Sequence, residues 1–145
     1  MVSLTKGEGF GRPLQEFCLS KKPLIVSGWS GHMDFIEPGF SVVLGGVLEQ
    51  VHQSAANQWL KAEYQWFQVN GKQARDAFKN VFTNYKKYID PAKQQGHLIK
   101  TNFSYDKMKE LVGVILDKNL PEFATEMKLN LPSLGTPQLT TPQLK

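Results

Sequence analysis

The sequence predicts an α/β fold, on three observations. The first is the order of patterns at its start: a short apolar run (Met1–Thr5), a glycine-rich loop (Lys6–Gly11), a helical pattern, then a second apolar run, "PLIVSG" at 23–28. Strand, loop, helix, strand is a βαβ unit, and its crossover is expected to be right-handed. The second is a change of period at Gly71, after which apolar residues recur at three and four rather than at two. The third is size. A chain of 145 residues, 41% apolar and 11% aromatic, can bury one core and lies in the ordinary range for one domain.

Each element has its own local reason. Arg12–Lys21 reads as a helix: Pro13 is acceptable in the first turn, and Leu14, Phe17 and Cys18 fall on one face. Pro23–Gly28 is a short apolar run between a proline and a glycine, as in a strand buried on both faces. Trp29–Gly39 is a polar, aromatic connection. Phe40–His52 holds two β-rich runs around Gly45-Gly46, either a hairpin or a strand with a sharp bend. Residues 53–64 fit neither template, and 65–70 ("QWFQVN") reads as extended.

From 72 to 89 an amphipathic helix is expected, carrying Ala74, Ala77, Phe78, Val81, Phe82, Tyr85 and Tyr88. Asp90-Pro91 ends it or starts the next, over 91–100, which Gly96 weakens. Ser104 suits the N-cap of a last helix bearing Met108, Leu111, Val112, Ile115 and Leu116, stopped by Asn119 and Pro121. Residues 135–145 repeat "TPQL" and show no periodic apolar face. They are expected to be a disordered tail.

The net charge of +4 hints at anionic partners. The lysines are scattered, however, with adjacent pairs only at Lys21–Lys22 and Lys86–Lys87. They read as solvated faces, with steering of a phosphorylated ligand as the other reading. No basic block marks a nucleic-acid partner. The single cysteine, Cys18, can form no internal disulfide and belongs to an apolar face. It reads as an inert thiol in a reducing compartment, with a cytoplasmic location the expectation. No apolar run reaches transmembrane length, and the start lacks a secretory signal pattern. An apolar strand from the first residue suggests a chain that begins inside a domain.

The candidate site is the loop "KGEGFGRP" at 6–13. Backbone amides left bare by Gly9, Phe10 and Gly11, together with the start of a helix, suit an anion such as phosphate. The spacing is neither G-x-G-x-x-G nor a P-loop, and a tight turn that merely needs glycines is the plainer alternative. Two carboxylates, Glu8 and Glu16, bracket the loop with seven residues between them. Acids beside a phosphate site are unfavourable unless they bind something else, and carboxylates accept hydrogen bonds from vicinal sugar hydroxyls. Phosphate flanked by sugars describes a nucleotide sugar. Lys6 and Arg12 are nearby cations. His32 could line the pocket, a solvent-facing turn being the more ordinary place for it. Asp34 suits a helix cap better than a ligand contact. Trp29 either stacks near the site or packs behind the loop. Trp59 and Trp66 read as core or interface. For Phe78, Phe82, Tyr85 and Tyr88 core packing is the default, with exposure to a missing lobe as the alternative.

"GEGFGRPLQEF" followed by "KKPLIVSGWSGHMDFI" resembles the donor-binding segment of retaining glycosyltransferases with two Rossmann lobes, the GT-B architecture, and within them the group-1 (family 4) branch. That branch carries "EGFGxPxxE", then a "KPVI" strand and a "WSGxxDF" turn. Here the pair is Glu8 and Glu16, the strand Pro23–Ser27 and the turn Trp29–Phe35. "QWFQV", the helix after it and the "LPEF…LNLPSL" ending also fit, so the likeness spans roughly residues 1–134.

The resemblance implies a partial Rossmann-like donor lobe followed by C-terminal helices. It implies a nucleotide-diphosphate sugar as donor, with no metal or other cofactor in the transfer. Glu8 would contact the donor sugar beside the reacting carbon, as the catalytic residue. Glu16 would hold the ribose, and Gly9, Phe10 and Gly11 would face the diphosphate. The acceptor lobe and the first half of the donor lobe, which supplies cations to the diphosphate, have no counterpart here. Transfer is therefore expected to need that missing lobe, a partner chain or a homo-oligomer. A non-catalytic binding or assembly module derived from such an enzyme is the alternative.

Overall fold

The computed structural model describes residues 1–121. Three short parallel strands form one sheet in the order β1 (Val2–Ser3), β2 (Ile25–Ser27), β3 (Val42–Leu44). Val2 lies opposite Ile25, and Ile25 opposite Val42. The crossover from β1 to β2 carries helix α1 (Arg12–Cys18). An antiparallel pair, β4 (Gly46–Gln50) and β5 (Gln65–Val69), makes a second sheet. Helices α2 (Gly71–Thr83), α3 (Ile89–Asn102) and α4 (Tyr105–Asn119) follow. The predicted α/β class is therefore seen, as a mixed fold around a small parallel sheet. No helix among the described residues is long and apolar enough to cross a membrane.

Strand β2 is buried along its whole length, and successive side chains serve opposite faces. Leu24 and Val26 join Leu14, Cys18, Phe35, Ile36 and Ile99 in one core cluster. Ile25 joins Leu44, Phe67, Val69 and Ala74 in the other. The continuous apolar run at 23–28 is thus the seam between two cores. Cys18 lies in the first, as its place in the pattern suggested, and burial pushes its thiol up to about 11.

Three expectations about chain path are corrected. The β-rich runs around Gly45-Gly46 form no hairpin with each other: β3 belongs to the parallel sheet, and β4 pairs with β5. The sharp bend is the correct alternative. A Cβ on Gly46 would lie 2.2 Å from the Gln68 carbonyl oxygen, so the crossing admits only glycine. α1 stops at Cys18, short of Lys21. The helix foreseen over 72–89 is α2 followed by a separate 3-10 turn, Tyr85–Tyr88. It breaks at Asn84, whose side chain turns back to donate to Asn80 Oδ1 (2.7 Å).

Asp90-Pro91 opens α3 rather than closing α2. Proline is tolerated in a first turn because its missing N–H has no partner there. Asp90 adds favourable charge at that end and pairs with Lys93 at 2.8 Å. Gly96 has a packing reason: a Cβ there would sit 2.6 Å from the Cys18 carbonyl oxygen, so it marks where α3 crosses α1. Ser104 caps α4 as foreseen, accepting from the Lys107 amide at 3.2 Å. The "TPQL" tail lies outside the described residues.

Gln95 was not singled out by the sequence, and no signal marks it within "KQQGH". It is buried on α3. Its Nε2 donates to the Phe35 carbonyl (2.7 Å), and its Oε1 accepts from the Glu37 amide (2.9 Å). One side chain thereby ties α3 to the loop that leads into β3 and satisfies two backbone groups that packing would otherwise strand.

Candidate functional site: the glycine loop and its bracing turn

β1 ends at Ser3, so Glu8 stands in the loop that follows and not on the strand. That loop lies across a second turn, residues 29–34, which leads into a 3-10 turn at Gly31–Asp34. The two are joined through the backbone of Glu8. Its N–H donates to Ser30 Oγ (2.8 Å), and its carbonyl accepts from the Ser30 hydroxyl (2.6 Å) and from the Gly31 N–H (2.9 Å). The loops approach so closely that a Cβ on Gly31 would lie 1.9 Å from the Gly9 carbonyl oxygen. Gly11 has φ +84 and would carry a Cβ 2.8 Å from that of His32. Two glycines, one on each loop, are thus required by the packing. Gly7 and Gly9 face open space.

Aromatic side chains anchor the junction on both sides. Phe10 leaves the loop to meet Phe35 (ring centroids 5.2 Å) and Phe103 (6.4 Å). Trp29 stacks on Phe67 of the second sheet at 5.9 Å. Such contacts add about 0.5–1.5 kcal/mol each beyond area burial. Phe10 lays one side of its ring on these partners and stays 41% exposed, so both its backbone and its ring edge face solvent at the loop. The N–H groups of Gly9, Phe10 and Gly11 donate to no described residue. α1 is only seven residues long, so these amides, and not a helix dipole, give the loop its character toward anions.

The charged candidates divide. Glu8 is half-buried at the junction. Glu16 is exposed on α1 and pairs with Arg12 at 2.8 Å, one turn earlier. An exposed pair of this kind is worth less than about 1 kcal/mol, so either partner exchanges readily for a ligand group. A shallow cleft of about 190 Å³ opens beside Glu16, lined in part by Ile99, Lys100 and Phe103.

Lys6 does not face the loop amides. Its ammonium bonds Gln68 Oε1 and sits 4.0 Å over the Trp66 ring, and its carbonyl accepts from the Phe67 amide. It ties the loop to the second sheet. A cation stacked on an aromatic face and hydrogen-bonded is settled where it is.

His32 is neither solvent-facing nor a lining residue of the open shelf. It is fully buried, and its Nε2 donates to the Ser27 carbonyl at 2.6 Å. The glycine loop lies over its Cβ, which removes the ring from reach. His32 is a post beneath the loop. Asp34 ends the 3-10 turn and makes no capping hydrogen bond among the described residues. Trp59 is 82% exposed, contrary to a core placement, whereas Trp66 is half-buried under Lys6. Phe78, Phe82 and Tyr85 are exposed, which corrects the default of core packing. The α2 residues that do reach the core are Ala74, Ala77 and Val81.

Among the described residues no three His, Cys, Asp or Glu side chains gather as a metal site. Comparison of the chain with protein-family models, curated proteins and solved structures finds no match.

Proposed function

We propose that residues 1–134 form the donor-side part of a GT-B retaining glycosyltransferase, taking a nucleotide-diphosphate sugar at the glycine loop. One observation carries the reading. Two uncommitted amides at the exposed Gly9 and Phe10, with the buried Gly11 amide behind them, lie on a loop braced from below, and Glu8 and Glu16 stand on either side of them along the chain. The amides receive the diphosphate, Glu8 accepts from sugar hydroxyls and Glu16 from the ribose, leaving Arg12 free for phosphate. In the transfer the bond from the sugar's anomeric carbon to the diphosphate breaks. The acceptor oxygen bonds on the same face, and its proton goes to the leaving phosphate. Preorganised donors aimed at that leaving charge supply the electrostatic part of catalysis. With Lys6 settled elsewhere, Arg12 is the one cation left of the two proposed, so transfer requires charges from a second lobe or chain.

Calorimetric titration of the chain with UDP, GDP and ADP tests this. One nucleotide should bind saturably, and Glu16→Ala should weaken it about 10- to 100-fold, the worth of a charged hydrogen-bonded pair. A folded chain that binds none of the three loses the donor reading.

A groove of about 260 Å³ favours the second reading, an assembly module without catalysis. Met1, Val2 and Ile25 line one side, and Phe78, Val81, Phe82 and Tyr85 the other. An open sheet edge beside exposed apolar side chains is unusual in a chain that works alone. Unimpaired assembly by a chain that binds no nucleotide would select it.

A further inference from the structure

Two described residues other than glycine have positive φ. Lys21, at φ 56, follows α1 where a helix end commonly turns left-handed. Ser30 is different: φ 86 with ψ −173 lies in a region that only glycine enters without strain. A glycine would remove the strain. What a glycine lacks is the hydroxyl, and that hydroxyl is the group that meets both the N–H and the C=O of Glu8, 22 residues away. A serine has one donor and lone pairs to spare, so one oxygen closes both bonds.

We propose that Ser30 is a positioning residue, a strained latch that fixes the Glu8 backbone and so aims the Glu8 carboxylate over the loop. The proposal rests on the donor-site reading for what Glu8 touches, but not for how Glu8 is held. The Gly31 N–H supports the same carbonyl, yet only Ser30 reaches the Glu8 amide. The strain is held in place because the neighbours leave no room to relax: Gly31 is pressed against Gly9, and Trp29 is stacked on Phe67.

The test uses the full chain with Ser30→Gly and Ser30→Ala. Glycine relieves the backbone and loses the hydroxyl; alanine loses the hydroxyl and keeps the strain. Ser30→Gly should therefore melt at the higher temperature of the two. In both variants the Glu8 amide should exchange its hydrogen about tenfold faster or more, as loss of its hydrogen bonds requires, while the β2 amides keep their protection. UDP-glucose, GDP-mannose and ADP-glucose are each titrated against their own nucleoside diphosphate. Whichever sugar nucleotide gains affinity from its sugar in the wild type should lose that margin in both variants, with the nucleoside diphosphate affinity unchanged. A Glu8 amide as protected as in the wild type, an alanine variant melting at or above the glycine one, or an intact sugar margin overturns the proposal. Failure of the donor reading looks different: no probe binds the wild type, while the exchange and melting results stand as expected and support the latch.

Discussion

The junction of the two loops and the outer flank of α2 use similar residues to opposite ends. At the junction, two glycines are fixed by close contact, and two aromatics each lay one face on a ring of the core while staying partly exposed. Gly31 and Gly11 each stand where a side chain would collide, and Phe10 and Trp29 each rest on a ring of the core. On the flank, Phe82 is 87% exposed and Phe78 and Tyr85 line an open groove. Farther along, Gly113 of α4 has nothing within 4 Å of where a Cβ would be. Residue type alone does not distinguish the two. The junction is specified from both sides, by two segments more than twenty residues apart that fit each other. The flank is specified from one side only, by helical periodicity.

The sharpest way to break that contrast is Gly31→Ala. The added carbon would stand 1.9 Å from the Gly9 carbonyl oxygen, with Glu8 backbone behind it. Backbone cannot swing aside as a side chain can, so the loops must part and the Glu8 hydrogen bonds go with them. A loss of about 3 kcal/mol is expected, at the top of the usual overpacking range, read from the urea midpoint at unchanged slope. Gly113→Ala is the control and should be neutral or mildly stabilising, by up to about 1 kcal/mol from helix propensity.

That asymmetry also explains what the sequence discloses. β2, the start of α1 and the Ser104 cap are legible because local composition dictates them: an apolar run between Pro and Gly, an early proline, a serine before a helical pattern. The sheet switch at Gly45-Gly46 and the burial of Gln95 are not, because each answers to a distant segment. The site divides along the same line. The carboxylate pair and the glycine loop stand out in one dimension. That Lys6 belongs to the second sheet, that His32 lies beneath the loop and that Ser30 latches Glu8 are facts of approach between segments, which spacing does not encode.

Cys18 sharpens the comparison from beneath the junction. Burial raises its thiol from 9.0 to about 11, because the thiolate would be stranded in an apolar cluster. The folded value lies above the unfolded one, so the neutral thiol contributes stability that is complete below about pH 9 and is lost as pH rises toward 11. The two-unit difference sets the loss at about 2–3 kcal/mol. Cys18→Ala should flatten that part of the stability profile, at the cost of a small cavity visible at every pH. The folded thiol should also resist Ellman's reagent at pH 8 and react once urea unfolds the chain.

The smallest expected effect falls on the flank and tests the contrast from its other side. Phe82 projects into solvent beside a groove edged by β1. Among the described residues it has little packing to lose, so Phe82→Ser should shift stability by no more than about 0.5 kcal/mol. Its effect belongs to association: removing a large exposed ring should lower self-association or partner capture wherever this face is an interface. Sedimentation velocity over a range of concentrations, run beside urea unfolding, separates the two quantities. A loss of stability as large as that of Gly31→Ala would mean that Phe82 is covered in the working protein. The flank would then be specified from both sides, like the junction.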